Sequence, residues 1–598
     1  MTHLPDSIPD TALAHLFSRE NLAGETRWFS IPGGQTLFQA GEMAEDLYFV
    51  RTGRLAAIRH EEGQEPRFLG VIRPGEPAGE MAMIARSVHS ASVVAIRDSE
   101  ILAMSSSVFF AAAETDPEVM IELARLMIMR ARQTAGKTSI GEPSVFGFVG
   151  VTSDVVVRDL VEAIAEEIEA LGFSVTTAGE EALHAPIEWY SNVEQAHDFV
   201  LYAAEAHQPA WTHLVSRQVD RLFRVGRGEH KPPHDSTVVT AEPLQTQLLV
   251  DLILFQRKDL VTPSGSAAWL DAMNPARLFH MRDGELADVR RIARTITGTS
   301  VGLVLSGGAA RAYAHVGAIR ALHEAKVPID FIGAASMGAI VGAGVARGWD
   351  DVEIDWRIRK AFVDTSPVDD LAFPMVALIQ GEKVRQRLKE HFGEQQIEDL
   401  WLPFFCISSN LTSGAYQIHR RGKLRHALRA SIAIPGLLPP VTQDNNVLVD
   451  GAVMKNFPTD VMRSMHLGPI IGVDVTRGRS INADDVQRPA SFWRWLWSGE
   501  WRQGLPIVSL LLRAATVSTG RDISASREAS DLLVLPAIDN IEIRDWKAFD
   551  PCVEAGHAAM VEALAQLTKP VTDLRRRQSL LDPPEEPPSQ LAALTGAT

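Results

Sequence analysis

The sequence predicts a multidomain α/β protein: an N-terminal β-roll with helices, a middle α/β domain, and a C-terminal α/β domain with a largely parallel central sheet. Three observations carry this. The chain has 598 residues, several times what one hydrophobic core organises. Its first part shows short apolar runs broken by Gly and acidic residues, the pattern of antiparallel strands and tight turns. From Ser144 onward, apolar strand-like runs alternate with helical periodicity, which implies a sheet covered by helices.

Hydrophobic residues make up 46% and charged residues 22%, a balance that excludes a largely disordered, collagen-like or coiled-coil chain. The formal charge of −17 makes non-specific nucleic-acid binding unfavourable and leaves no overall polybasic membrane anchor. Cys406 and Cys552 stand in no metal-ligand pattern, so a reducing compartment without a disulfide framework is expected. The N-terminus lacks the basic and apolar regions of a secretory signal. The longest small-apolar stretch, Phe331 to Ala346, has 16 residues, short of the roughly 20 that span a bilayer. The expectation is a cytoplasmic protein whose membrane contact is at most peripheral.

In chain order, Leu47–Val50, Arg54–Ile58, Phe68–Ile72 and Ala91–Ile96 are strands of a roll. Thr115-Asp116-Pro117-Glu118 supplies a cap, a first-turn proline and an acidic first turn for a helix to about Ala131. Residues 133–143 read as a linker. Strands follow at Val145–Val151, Phe199–Tyr202, Arg221–Val225 and Leu248–Phe255, with helices at Val155–Leu171 and Glu285–Thr297. The turn after the first strand, Gly150-Val151-Thr152-Ser153-Asp154, lacks the G-x-x-x-x-G-K-[ST] pattern, so the middle domain reads as a structural or docking layer without a phosphate-cradling loop. The boundaries are 1–136 for the roll, 144–297 for the middle domain, 298–571 for the C-terminal domain and 572–598 for a flexible, proline-rich tail.

The chemistry concentrates in the third domain. Strand Val301–Leu305 runs into Ser306-Gly307-Gly308-Ala309-Ala310-Arg311 and a helix over Tyr313–Ala325. A small-residue loop between strand and helix exposes main-chain N–H groups that bind developing negative charge. A second strand, Val327–Gly333, ends in Ala334-Ala335-Ser336-Met337-Gly338, where Ser336 occupies a sharp strand-to-helix turn. Asp450 ends an apolar strand at Val447-Leu448-Val449-Asp450-Gly451-Ala452, and such a carboxylate takes a serine proton directly if the two are in reach. Asp474, also at a strand end, reads as structural, and His315 as a packing or positioning residue.

This constellation resembles the patatin-like phospholipases, and in particular the neuropathy target esterase-type lysophospholipases. Gln396–Pro403, Leu428-Arg429-Ala430-Ser431, Pro435-Gly436 and Asn456-Phe457-Pro458 match as well, as do His197–Tyr202 and Pro209–Thr212 of the middle domain. The resemblance implies a patatin-like C-terminal domain and a serine acyl hydrolase of phospholipid or lysophospholipid esters. Its catalytic pair would be Ser336 and Asp450, with Gly307, Gly308, Ala309 and Arg311 around the oxyanion, and no metal or organic cofactor. The branch usually has glycine where Ser306, Ala309, Ala312 and Ala334 stand here. An alanine forced into a left-handed backbone costs about 1–2 kcal/mol. The alternative is a catalytically weak or silent patatin-fold scaffold or ligand-sensing protein.

The N-terminal segments Pro32-Gly33-Gly34, Phe38–Glu42, Leu47–Gly53 and Gly79-Glu80-Met81-Ala82 resemble the cyclic nucleotide-binding β-roll. The resemblance assigns the ribose contact to Gly79 and Glu80. Where binding members carry Pro-Arg for the cyclic phosphate, this chain reads Val88-His89, and Arg86 lies three residues early. Losing that charged hydrogen bond weakens binding roughly 10- to 150-fold, so tight cyclic nucleotide binding is not expected. Lipid contact has two candidates. Phe492, Trp493, Trp495 and Trp497 form an aromatic cluster suited to a membrane interface or to a lid or dimer contact. The basic run His419–Arg425 suits lipid phosphate or a solvated hairpin.

Overall fold

The computed structural model describes residues 25–59, 67–135, 143–233, 250–364, 370, 377–476, 519–543 and 545–582. The tryptophan cluster at 491–501 lies outside them. No helix among the described residues is long and apolar enough to cross a membrane.

The roll is two four-stranded antiparallel sheets. Strand Asp46–Thr52 buries Leu47, Phe49 and Val50, and strand Ser99–Ser105 faces it in register, Phe49 against Leu102. Pro117 opens helix Pro117–Ala135, as the cap pattern predicts. The expected strands occur within a residue or two of the apolar runs.

The middle domain is a six-stranded, all-parallel sheet in the order Val175–Ala178, Phe199–Ala204, Val145–Gly150, Arg221–Arg227, Val250–Gln256 and Arg277–Arg282. Strands such as Phe199–Ala204 are buried along their whole length because helices cover both faces. Helix Val157–Ala170 turns Val157, Leu160, Val161, Ile164 and Ile168 inward, the period of an amphipathic helix. The core does not stop at the domain boundary. Phe223, Phe279 and Ile292 form one apolar cluster with Val304, Phe331, Phe405 and Ile470 of the next domain.

That next domain is an eight-stranded sheet. Strands Phe404–Asn410, Phe331–Ala335, Gly302–Leu305, Ile470–Val473 and Leu532–Val534 are parallel neighbours. Asn446–Asp450 and Ala415–His419 pair antiparallel with Phe404–Asn410. The strand expected from Val327 begins only at Phe331, because Asp330 turns its carboxylate to the Val301 amide (2.9 Å) and to Arg294 (2.6 and 2.9 Å).

Residues 572–582, expected in a flexible tail, are held in place, Leu574 and Arg575 on the C-terminal domain and 576–580 on the middle domain. Ser579 Oγ donates to Asp198 Oδ2 (2.6 Å), the Leu580 amide donates to Asp198 Oδ1 (2.9 Å), and the guanidiniums of Arg576 and Arg577 lie over Phe173 and Phe199. The polar composition hid this, since the Ser579 hydroxyl and Leu580 amide satisfy a buried carboxylate and Arg577 donates to the Asp198 carbonyl (2.5 Å). Residues 583–598 lie outside the described residues.

The roll joins the middle domain through ion pairs. Asp220 Oδ2 accepts from Arg54 Nη1 (2.5 Å) and from the amides of Ser144 (2.9 Å) and Val145 (3.0 Å). Arg97 forks onto Glu194 (2.7 Å twice), and Arg217 onto Asp98 (2.7 and 2.9 Å). Asp220 is buried and Arg54 mostly so, whereas Arg217 and Asp98 are about one-third exposed. Asp220→Ala is therefore expected to destabilise the chain by about 3–5 kcal/mol in urea unfolding, and Arg217→Ala by about 1 kcal/mol or less.

Candidate active site

Strand Phe331–Ala335 is buried throughout, and the chain turns at its end into helix Ser336–Arg347. Ser336 makes that turn at φ 51, a left-handed conformation costly for a residue with a side chain. The Ser336 amide donates to Ser431 Oγ (2.9 Å), whose hydroxyl donates to the Ile407 carbonyl (2.7 Å). The strained residue is thus tied to the neighbouring strand.

The pairing of that strand brings Asp450 alongside. Ala335 faces Ile407 and Asp450 faces Ser408, so two distant chain segments end against consecutive residues of Phe404–Asn410. Ser336 Oγ donates to Asp450 Oδ2 at 2.7 Å. The Ala452 amide donates to Asp450 Oδ1 (2.8 Å). Gly451 follows because a Cβ there would lie 2.5 Å from the Ile407 carbonyl oxygen. Burial pushes the Asp450 carboxyl up to about 7, against the hydrogen bonds from Ala452 and Ser336 that pull it down. Ser336 is 5% and Asp450 1% exposed, so the pair sits in a low-dielectric setting that strengthens its hydrogen bond.

The glycine loop abuts this pair: a Cβ on Gly307 would stand 2.7 Å from Ser336 Cβ. The expected donors divide. The Gly307 amide is taken by Asn456 Oδ1 (3.2 Å), and Asn456 Nδ2 donates back to the Gly307 carbonyl (3.3 Å). The Ala310 amide donates to the Ile543 carbonyl (3.1 Å). The amides of Gly308 and Ala309 have no acceptor among the described residues and are partly exposed. Arg311, expected near the oxyanion, directs Nε to the Ile541 carbonyl (2.8 Å) and so anchors the 541–543 segment. Asn456 and Ser431, which stood in recognised stretches without a role, are the clamps of loop and elbow.

The glycine replacements have unequal consequences. Ala309 sits at φ 48, in the left-handed region. Ala334 lies within extended strand and carries no such strain. Ser306 Oγ accepts from the Val475 amide (2.9 Å). His315 Nε2 donates to the Ser306 carbonyl (2.8 Å), and burial holds its imidazole down at about 4, so it supports the loop as a neutral ring. Asp474 is ion-paired with Arg527 (2.6 Å) and accepts from the Thr476 amide (2.8 Å), which fits a structural role.

Elsewhere, Gly79 and Glu80 open helix Glu80–Ala85 of the roll, and the His89 ring stacks on Phe38 at 3.7 Å. Arg86 ends that helix at φ 47 and is exposed. In the middle domain, the amides of Val157 and Arg158, at a helix N-terminus where a bound anion would sit, donate to Glu205 (3.1 and 3.0 Å). Among the described residues no group of three or more His, Cys, Asp or Glu is arranged to hold a metal ion.

The left-handed alanine generates a prediction. Ala309→Gly is expected to raise stability by about 1 kcal/mol and Ala309→Val to lower it, read as opposite shifts in thermal midpoint.

Residues 303–463 match the family model "Patatin-like phospholipase", residues 28–116 "Cyclic nucleotide-binding domain", and residues 165–298 "Neuropathy Target Esterase family P-loop like domain". A catabolite activator protein from Thermus thermophilus is a solved structure 25% identical to it, covering 26% of this chain and 63% of its own at a TM-score of 0.19. The human patatin-like phospholipase domain-containing protein 6 is 27% identical over 601 residues, covering 89% of this chain and 44% of its own length. An uncharacterised NTE family protein of Mycobacterium tuberculosis is 32% identical over 565 residues, which cover 91% of this chain and 93% of the relative. With that likeness over nearly its whole length, the chain belongs to the neuropathy target esterase (NTE) family.

Proposed function

We propose that the chain is a serine acyl hydrolase that cleaves acyl esters of phospholipids or lysophospholipids. The observation that carries this reading is the 2.7 Å hydrogen bond from Ser336 Oγ to the buried Asp450 carboxylate, at a left-handed elbow beside two unpaired amides. In this mechanism Asp450 takes the hydroxyl proton as Ser336 Oγ attacks the ester carbonyl. The Gly308 and Ala309 amides receive the oxyanion, and Gly307 shapes the loop through Asn456. Collapse breaks the ester bond, and Asp450 returns its proton to the leaving alcohol. Asp450 then deprotonates a water that attacks the acyl-Ser336, releasing the fatty acid and restoring the serine. The matched patatin-like phospholipase family and the human relative, named for a patatin-like phospholipase domain, support a lipid ester as substrate.

A second reading, a weakly active or silent scaffold, draws on one observation: the methyl-bearing, left-handed Ala309 in the loop. A fluorophosphonate probe separates the two readings, since a silent scaffold leaves Ser336 unlabelled.

With lysophosphatidylcholine as substrate, Ser336→Ala and Asp450→Asn are each expected to lower kcat at least about 1,000-fold. Rates equal to wild type for Ser336→Ala would remove the serine from the mechanism. The base acts only as carboxylate, so wild-type hydrolysis should rise with pH and reach half its plateau near 7.

Stability has the opposite sign. The folded carboxyl titrates near 7, above its ordinary 3.8, so the unfolded chain ionises first and this group's contribution to stability falls as pH rises from about 4 to 7. Asp450→Asn should then be the more stable protein at pH 8, by up to about 4 kcal/mol in urea titrations, though inactive.

A further inference from the structure

A cavity of about 540 Å3 opens in the C-terminal domain, between helix Glu382–Phe392, helix Leu424–Ser431 and segment 439–443. Its wall carries Arg385, Arg421, Lys423, Arg425 and Arg429, with His419 and His426, and among the described residues no carboxylate lines it. Such clustering runs against the composition of a chain with a charge of −17. None of Ser336, Asp450 or the 307–311 loop lines it, so it is distinct from the candidate active site.

The cations are not equivalent. Arg421 reaches outward to Asp271 (2.6 Å), and Lys423 and Arg425 share Glu394 (2.9 and 2.8 Å). Arg385 pairs with Glu382 at the exposed end of its helix. Arg429 has no ion pair among the described residues: its Nη2 donates to the Pro439 carbonyl (2.9 Å), while its buried Nη1 has no hydrogen-bond partner among them. Arg425 Nε is likewise buried without a partner among the described residues. Burial first, and Arg385 second, pull the Arg429 guanidinium down to about 10. Asp370 acts on it in the other sense; the Glu382 amide (2.7 Å) and the Lys383 amide (3.3 Å) occupy its Oδ2, while its buried Oδ1 has no partner among the described residues. Buried N–H groups of a cation left without acceptors cost free energy that an incoming anion recovers.

We propose that this cavity binds a phosphate group, gripped by Arg429 and Arg385 with Arg425 at the rim. Guanidinium forks match phosphate oxygens in pairs, and the volume accommodates a phosphate together with an organic body. Arg429 lies two residues before Ser431, whose hydroxyl holds the Ser336 amide, so an occupant bears on the elbow through one helical turn. The phosphate source is either a soluble phosphate monoester or a lipid headgroup, and the two are separable. The proposal does not require the hydrolase reading, because its readout is binding.

The test uses the full chain with two probes: glycerol 3-phosphate by calorimetry, and vesicles of phosphatidylcholine with or without phosphatidic acid by co-sedimentation. Arg385→Gln and Arg429→Gln are compared with Arg27→Gln, an exposed arginine of the roll. Arg385 is exposed and tests the site without disturbing the core. Binding of glycerol 3-phosphate that Arg385→Gln and Arg429→Gln weaken at least about 10-fold, with Arg27→Gln unchanged, supports the site and a soluble ligand. Co-sedimentation that needs both phosphatidic acid and Arg385, without glycerol 3-phosphate binding, supports the site and a headgroup. Absence of binding to both probes, or binding indifferent to Arg385→Gln and Arg429→Gln, overturns it.

Discussion

Strand Phe404–Asn410 accepts two partners on consecutive residues, and the candidate site depends on that register. Its apolar half pairs in parallel with the strand that ends before Ser336, and its polar half pairs antiparallel with the strand that ends at Asp450. A slip of one residue in either pairing turns the side chains to the opposite face of the sheet and parts the hydroxyl from the carboxylate. Several bonds pin the register. Ser431 joins the Ile407 carbonyl to the Ser336 amide, and Ser409 Oγ accepts from the Met454 amide (3.0 Å) in the turn after Asp450.

Around this register the protein stores unfavourable local states. Ser336 and Ala309 hold left-handed backbones, and Asp450 is a carboxyl kept from water. Each costs free energy and persists because a continuous core surrounds it. Leu305, Ile332, Ala334, Met337, Leu428 and Val473 are all 5% exposed or less within one cluster. The arrangement exchanges some stability for a carboxyl pushed up to about 7 and a hydroxyl already aligned to it.

The other domains frame this unit. The middle sheet shares a core with the C-terminal sheet, so the two layers pack as one body. The helix end that would hold an anion in the middle layer is filled by the chain's own Glu205. The roll adds buried ion pairs at Asp220 and Glu194, and residues 576–580 return to cap Asp198, so opposite ends of the sequence are tied to the same layer.

The sequence by itself determined the order of domains, most strands, and the two residues that meet at the elbow, because apolar period, small-residue turns and capping residues are local signals. It also located the left-handed cost at the replaced glycines, but not which of them bears it. Only the tertiary structure separated Ala309, at φ 48, from Ala334, in plain strand. It alone gave the Gly307 amide to Asn456 and left those of Gly308 and Ala309 open. It alone folded residues 576–580 onto Asp198 and gathered arginines of separate segments around one cavity. The strand that joins serine to aspartate, Phe404–Asn410, was passed over in sequence because its apolar start gives way to Ser408-Ser409-Asn410. Those polar residues are buried only because long-range pairing satisfies them, Ser408 by His419 (2.7 Å) and Asn410 by Asn446 (2.9 Å). Hydrogen-bond partners supplied by distant segments leave no local pattern, and that is why the tertiary fold, not the sequence, decided them.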